Sequence, residues 1–206
     1  MSHYVLIAVP RKDGSLEELM ERYNENREVD PYDEQCSCVY AAHRGAVEAA
    51  LDEKFGSDYI DNKRKEAPED CSDEQWQEMI TPYRIENKRL LSLPAPPADP
   101  ACDDCGGSGL RKTTYNPESK WDWFEIGGRW DGEFGGKNES TVGEIIACGR
   151  IPHAIVTPAG WFERGKMGWF GVVRDGIERD EWESQARQIL ASLDPGSKAY
   201  VIDCHI

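Results

Sequence analysis

Residues 181–206 read EWESQARQILASLDPGSKAYVIDCHI, and their pattern decides the fold class. Trp182, Ala186, Ile189, Leu190 and Leu193 recur at helical spacing, which predicts an amphipathic helix over residues 181–193 with these side chains inward. Asp194-Pro195-Gly196 ends it, because proline cannot continue a helix and glycine allows the turn. Residues 198–206 then change to a strand pattern with β-branched and aromatic side chains. A helix that turns back into a strand at this position needs other strands to pair with.

The rest of the chain offers them. Residues 3–9, HYVLIAV, form a short apolar run stopped by Pro10. Residues 151–157 and 161–173 read as two strands turned by Pro158-Ala159-Gly160. The first and last strands are expected to be antiparallel neighbours with His3 near His205. The implied class is α+β: a small antiparallel sheet with helices on one face, with a ferredoxin-like split βαβ as the leading topology.

Helix signals lie between the strands. Ser15 and Glu18 make a capping box ahead of Leu16, Leu19, Met20 and Tyr23. Residues 39–55 carry a helical stripe of Ala46, Val47, Ala50 and Leu51, with Gly56 placed to stop it. Residues 57–71 are charged and read as irregular. Ser72 and Gln75 repeat the capping box before Trp76, Met79, Ile80 and Tyr83, and Pro82 predicts a break. The chain reads as a single domain, 1–206. Residues 57–140 form an elaboration on it, with a Pro-rich linker at 93–101 and a zinc-knuckle, Trp-rich segment at 102–134.

Composition narrows the function. The 206 residues hold 39 Asp and Glu against 24 Lys and Arg, a formal charge of −15. Nucleic acid is gripped by cationic side chains neutralising phosphates, so direct nucleic-acid binding is not expected. A host protein with a basic surface fits the field better. The opening MSHYVLIAVP lacks a basic leader, its apolar run is too short for a signal or a span, and no other stretch reaches spanning length. A cytoplasmic protein without a membrane partner is expected. Seven cysteines without a secretion signal favour reduced thiols and metal ligation over disulfides.

Cys102-Asp-Asp-Cys105-Gly-Gly-Ser-Gly109 is the strongest chemical signal. Two thiolates two residues apart chelate one tetrahedral metal, and the glycines let backbone amides face the sulfurs. Cys36 and Cys38 are the best second pair, presented as a Cys-x-Cys hairpin; Cys71, His43 and His153 are substitutes. Structural zinc on Cys36, Cys38, Cys102 and Cys105 is the cofactor expected.

Residues 121–130, WDWFEIGGRW, suggest a ligand pocket. Trp121, Trp123 and Trp130 would line it, and Gly127 and Gly128 would admit a ligand close to the backbone. Asp122, Glu125 and Arg129 would supply its polar groups. The competing reading puts the tryptophans in a core and Arg129 in an ion pair with Asp122 or Glu125. At the end of the chain, Asp203 and His205 share one side of a strand, and with His3 they are candidates for a second metal. No P-loop, dinucleotide fingerprint, HExxH or GxSxG occurs.

The blocks PYDEQCSCV (31–39), CDDCGGSG (102–109), YNPESKWDWFEIGGRWDG (115–132), ERGKMGWFGVV (163–173) and VIDCHI (201–206) together carry a resemblance. In combination they resemble a family of bacteriophage-encoded proteins; residues 57–100 carry none of it. The resemblance implies a phage or prophage origin and a role in the cytoplasm of an infected bacterial host. It brings no catalytic assignment. With the charge, it gives the expected function: an acidic, zinc-stabilised accessory binder, or inhibitor, of a host protein such as a nucleic-acid-binding defence component. The alternative is an enzyme using Arg129, Asp122, Glu125, Asp203 and His205 in a Trp-lined pocket.

Overall fold

The structure, a computed structural model, describes residues 2–168, 172–174 and 176–206. In chain order the elements are β1 (His3–Ala8), α1 (Leu16–Glu21), β2 (Tyr32–Gln35), α2 (Ser37–Phe55), α3 (Tyr59–Glu66), α4 (Asp73–Met79) and α5 (Thr81–Leu91). They continue with β3 (Leu110–Thr113), β4 (Trp123–Ile126), a 3-10 turn at Gly128–Trp130, β5 (Glu139–Thr141), α6 (Val142–Cys148), β6 (Ala154–Thr157) and β7 (Gly160–Glu163). The last are β8 (Lys166–Met167), β9 (Val173–Arg174), α7 (Arg179–Ala191) and β10 (Lys198–His205). The chain divides into two compact units, one of Met1–Val29 with Tyr115–Ile206 and one of Asp30–Thr114.

The first unit is built on a sheet ordered β4-β10-β1-β6-β7, with β5 also pairing β10. The terminal strands pair as the sequence suggests: β1 and β10 are antiparallel, with His3 opposite His205 and Ala8 opposite Tyr200. The hairpin also forms, β6 against β7, around Pro158 and Ala159. Its second strand is shorter than residues 161–173. Beyond Glu163 the chain leaves the sheet for a β8/β9 ribbon, and residues 169–171 lie outside the described residues.

Two expectations are corrected. A split βαβ needs a strand between its two parallel strands, whereas β1 and β6 pair directly and in parallel, Leu6 beside Ala154 and Ala8 beside Val156. The long excursion between them provides the crossover that parallel neighbours require, and the hairpin adds β7 outside β6. The sheet is therefore mixed, and the ferredoxin-like order is not adopted. Nor are the helices on one face. Val5, Ile7 and Val9 of the first strand segment pack with Val142, Ile145, Trp182, Ala186 and Leu190 from α6 and α7. Tyr4, Leu6 and Ala8 face the other way, onto Leu16 and Met20 of α1 with Tyr23 and Trp121. Both alternating sets of β1 are apolar, so both sides of the sheet must be covered.

The second unit is helical, with one short ladder, β2 against β3. Val47 and Leu51 of α2 meet Leu90 of α5, with Phe55 and Tyr83 beside them. Both predicted capping boxes form, at Ser15/Glu18 and Ser72/Gln75, and the break falls at Ile80 with Pro82 in the first turn of α5. The helix α3 was not visible in the sequence. It buries no residue, but Asp61 in its first turn and Lys63, Arg64 and Lys65 in its last complement the helix dipole. Tyr59 then stacks on Tyr83, ring centroids 5.8 Å apart.

The inserted unit thus starts and ends earlier than residues 57–140: the Cys36 and Cys38 segment belongs to it, and the Trp-rich residues from 115 onward belong to the sheet. Its core is thin. Of the 28 buried hydrophobic side chains among the described residues, five (Cys36, Val39, Val47, Leu51 and Leu90) lie between Asp30 and Thr114. A unit of this size with so little buried apolar surface needs another source of stability.

Candidate metal centre

A candidate for that source lies where the ladder ends. Pairing of Gln35 with Leu110 sets the end of β2 beside the start of β3, so Cys36 and Cys38 arrive next to the Cys102/Cys105 loop. The Cys36 amide donates to Gly109 O at 2.9 Å, locking the two segments together. Cys36 is the N-cap of α2 and Cys38 lies in its first turn. The second pair is therefore carried by a helix N-terminus, not the hairpin expected, and the positive end of the helix favours thiolate there.

The Cys102/Cys105 loop curls through left-handed backbone at Gly106, Gly107 and Gly109, with φ of 55°, 83° and 76°. A Cβ at Gly107 would meet Pro100 Cα at 3.0 Å. The Pro-rich residues 93–101 therefore end as the wall behind this loop, inside the second unit, and not as a linker at its edge. Backbone amides of Cys105 and Asp104 point at the Cys102 sulfur, those of Gly109 and Gly107 at Cys105, and that of Asp99 at Cys38.

The four Sγ atoms of Cys36, Cys38, Cys102 and Cys105 lie within 4.8 Å of one another. Cys36 and Cys102 are 3.6 Å apart, as are Cys38 and Cys105, well beyond a disulfide bond of about 2.05 Å. All four are free thiols. Burial pushes the Cys38 thiol up to about 12. Burial also opposes ionisation of Cys105, but the Gly109 and Gly107 amides and the neighbouring sulfurs bring it down to about 7. A cation among the sulfurs is what would let all four ionise. Cys71, His43 and His153 stand outside the group: Cys71 donates to Ser72 O, and His153 Nε2 bonds Gly165 O at 3.0 Å.

Residues 121–130 do not form a Trp-lined pocket. Trp121 is 7% exposed and belongs to the core on the α1 side, donating to Met20 O. Trp130 packs against the opposite core. Trp123 alone of the three opens to solvent, at 43%, its ring lying nearly parallel to that of His205. Gly127 and Gly128 admit the protein's own side chains, not a ligand. A Cβ on Gly127 would overlap the Asn138 amide, and one on Gly128 would sit 2.5 Å from Asp203 Cβ.

The polar groups do gather. Buried Asp203 meets His3 Nδ1 through Oδ1 at 2.9 Å, and its Oδ2 accepts from the Arg129 backbone N–H at 3.0 Å. His205 Nδ1 pairs with Asp122 Oδ1 at 2.6 Å. His3, Trp123, Glu125, Arg129 and Asp203 line one shallow depression. The second metal is not supported: both Asp203 oxygens are committed, and among the described residues the metal-holding group found is the four cysteines. The expected ion pair of Arg129 with Asp122 or Glu125 is also absent among the described residues; its guanidinium stays exposed. What the depression offers is a carboxylate-oriented imidazole, His3 on Asp203, whose Nε2 can accept a proton when Nδ1 donates.

These features define an α+β protein with a mixed sheet and a four-cysteine group compatible with a metal. Among the described residues no helix is long and apolar enough to cross a membrane. No protein-family model, curated protein or solved structure matches the chain.

Proposed function

We propose that the protein is a zinc-stapled, acidic accessory factor of a phage or prophage, and that it binds a basic host protein stoichiometrically in the infected cell's cytoplasm. The observation that carries the proposal is the four-sulfur group. Zn–S bonds of about 2.3 Å give a tetrahedron with edges of about 3.8 Å, close to the 3.6 Å pairs. Sulfur donors select zinc or iron over hard cations. Four protein ligands leave no open position, so the metal's role is structural, which suits the thin core of residues 30–114.

The basic partner is supported by charge. Between Asp30 and Thr114 there are 18 acidic residues against 10 basic, and Glu17, Glu21, Asp30 and Asp33 are exposed. Such a field raises encounter rates with a cationic surface, and salt screens it beyond about 8 Å at physiological strength. With a partner captured from host lysate, Glu17→Gln, Glu21→Gln, Asp30→Asn and Asp33→Asn together are expected to lower the association rate several-fold without shifting thermal unfolding. The effect should shrink as salt rises. Full inhibition at far below one molecule per target would overturn the binder in favour of catalysis.

One observation favours a second reading, an enzyme: His3, Asp203, Glu125 and Arg129 share one depression, with Asp122 and His205 adjoining. His3 would accept a proton, Asp203 would orient it, and Arg129 would hold an anionic group. His3→Ala should then abolish the protein's effect in a host assay, by about a hundredfold or more for a lost general base, with partner binding intact. An unchanged effect would end this reading.

A further inference from the structure

In a chain of charge −15, one cavity gathers four arginines. It lies in the first unit against α7, has a volume of about 430 Å³, and is lined by Arg150, Arg164, Arg179 and Arg187, with Glu183 and Trp182 beside them. Glu183 is the one carboxylate in the lining among the described residues, and it is divided between Arg179 at 3.2 Å and Arg187 at 3.9 Å. Arg150 reaches away to Glu133 at 2.8 Å. Arg164 has no such relief: its Nε is buried without a hydrogen-bond partner among the described residues. His153 in the wall adds no charge near neutral pH, since burial foremost, and then the Arg164 charge, hold it below its ordinary value.

Gathering guanidiniums this way is unfavourable unless an anion joins them, and a buried donor left unpaired is a further cost. Planar guanidiniums match the oxygens of phosphate in bidentate geometry. We propose that this cavity binds a small molecule bearing a di- or triphosphate group, with Arg164 at the centre of the phosphate site and Arg179 and Arg187 turning from Glu183 to complete it. The volume is that of a small-ligand pocket. A nucleic-acid strand is disfavoured, because it needs an extended basic track and the chain as a whole is acidic. The proposal stands independently of the metal and of the host partner.

Titration calorimetry on the 206-residue chain, purified without chelator, tests it, with inorganic pyrophosphate and ATP as probes. At least one should bind at one molecule per chain and raise the thermal midpoint. Tighter ATP than pyrophosphate assigns a nucleotide; the reverse assigns a simple polyphosphate. Arg164→Gln should weaken binding by about tenfold or more, the loss of one charge-assisted contact. Arg187→Gln, on the surface of α7, should do the same without disturbing the fold, while Arg27→Gln, at an exposed position outside the cavity, leaves affinity unchanged. Three results would overturn the proposal: neither probe binding at millimolar concentration, Arg27→Gln weakening binding as much as Arg164→Gln, or a single-stranded oligonucleotide binding more tightly than both probes.

Discussion

Cys102→Ser is expected to unfold residues 30–114 while the sheet of the first unit persists. A structural zinc contributes on the order of 10 kcal/mol or more to the fold that holds it, against a net domain stability of about 5–15 kcal/mol. The second unit has five buried hydrophobic side chains to set against that loss, and the first has the other 23 among the described residues. Hydrogen exchange should therefore show protection lost across α2 to α5 and kept in β1 and β10. A strong chelator should reproduce the pattern, more readily at low pH, because protons compete with the metal for the sulfurs. Cys71→Ser and Cys148→Ser, outside the cluster, should behave as the parent protein. A Cys102→Ser protein with full protection in α2 would remove the metal from the account of stability.

Trp182→Ala should have the next largest effect. The indole is 3% exposed at the centre of the α7-side core, and its Nε1 donates to Pro152 O at 2.8 Å. Deleting a large buried side chain costs about 3–5 kcal/mol, and the orphaned carbonyl adds about 1 kcal/mol. The urea midpoint should fall accordingly, with unfolding confined to the first unit. Trp182→Phe keeps most of the ring volume and should lose much less. A midpoint for Trp182→Ala within experimental error of the parent would mean that α7 is not seated on the sheet as described.

What was legible in the sequence was local. The capping boxes at Ser15 and Ser72, the break at Pro82 and the inward face of α7 each depend on residues a few positions apart, so the pattern is written in one short window. The β1–β10 register was also readable, since both strands are short apolar runs at the chain ends. The apolar sets Tyr4, Leu6 and Ala8 and Val5, Ile7 and Val9 alternate along the first strand, and that pattern already implies cover on both faces of the sheet. Helix α3 gave none, because it has no apolar stripe and depends on Tyr59 meeting Tyr83 from a different helix.

The candidate sites divide in the same way. Cys102 and Cys105 are a local chelate motif, and the spacing of Cys36 and Cys38 marked a second pair. Only the β2–β3 ladder explains why they meet. Gly127 and Gly128 were misread because Asn138 and Asp203, the side chains that need the space, lie far away in sequence. The arginine cavity was missed altogether. Arg179, Glu183 and Arg187 stand at helical spacing, a pattern that fits a solvated surface ladder equally well, and nothing in sequence ties them to Arg150 or Arg164.

Zinc held by the four cysteines can be read out by metal analysis of protein purified without chelator. The expected result is one zinc per chain, lost in Cys36→Ser and in Cys105→Ser, with Cys71, Cys148 and Cys204 as the thiols left unligated. Protein that contains no metal, or that retains its zinc after Cys36→Ser and Cys105→Ser are combined, would contradict it.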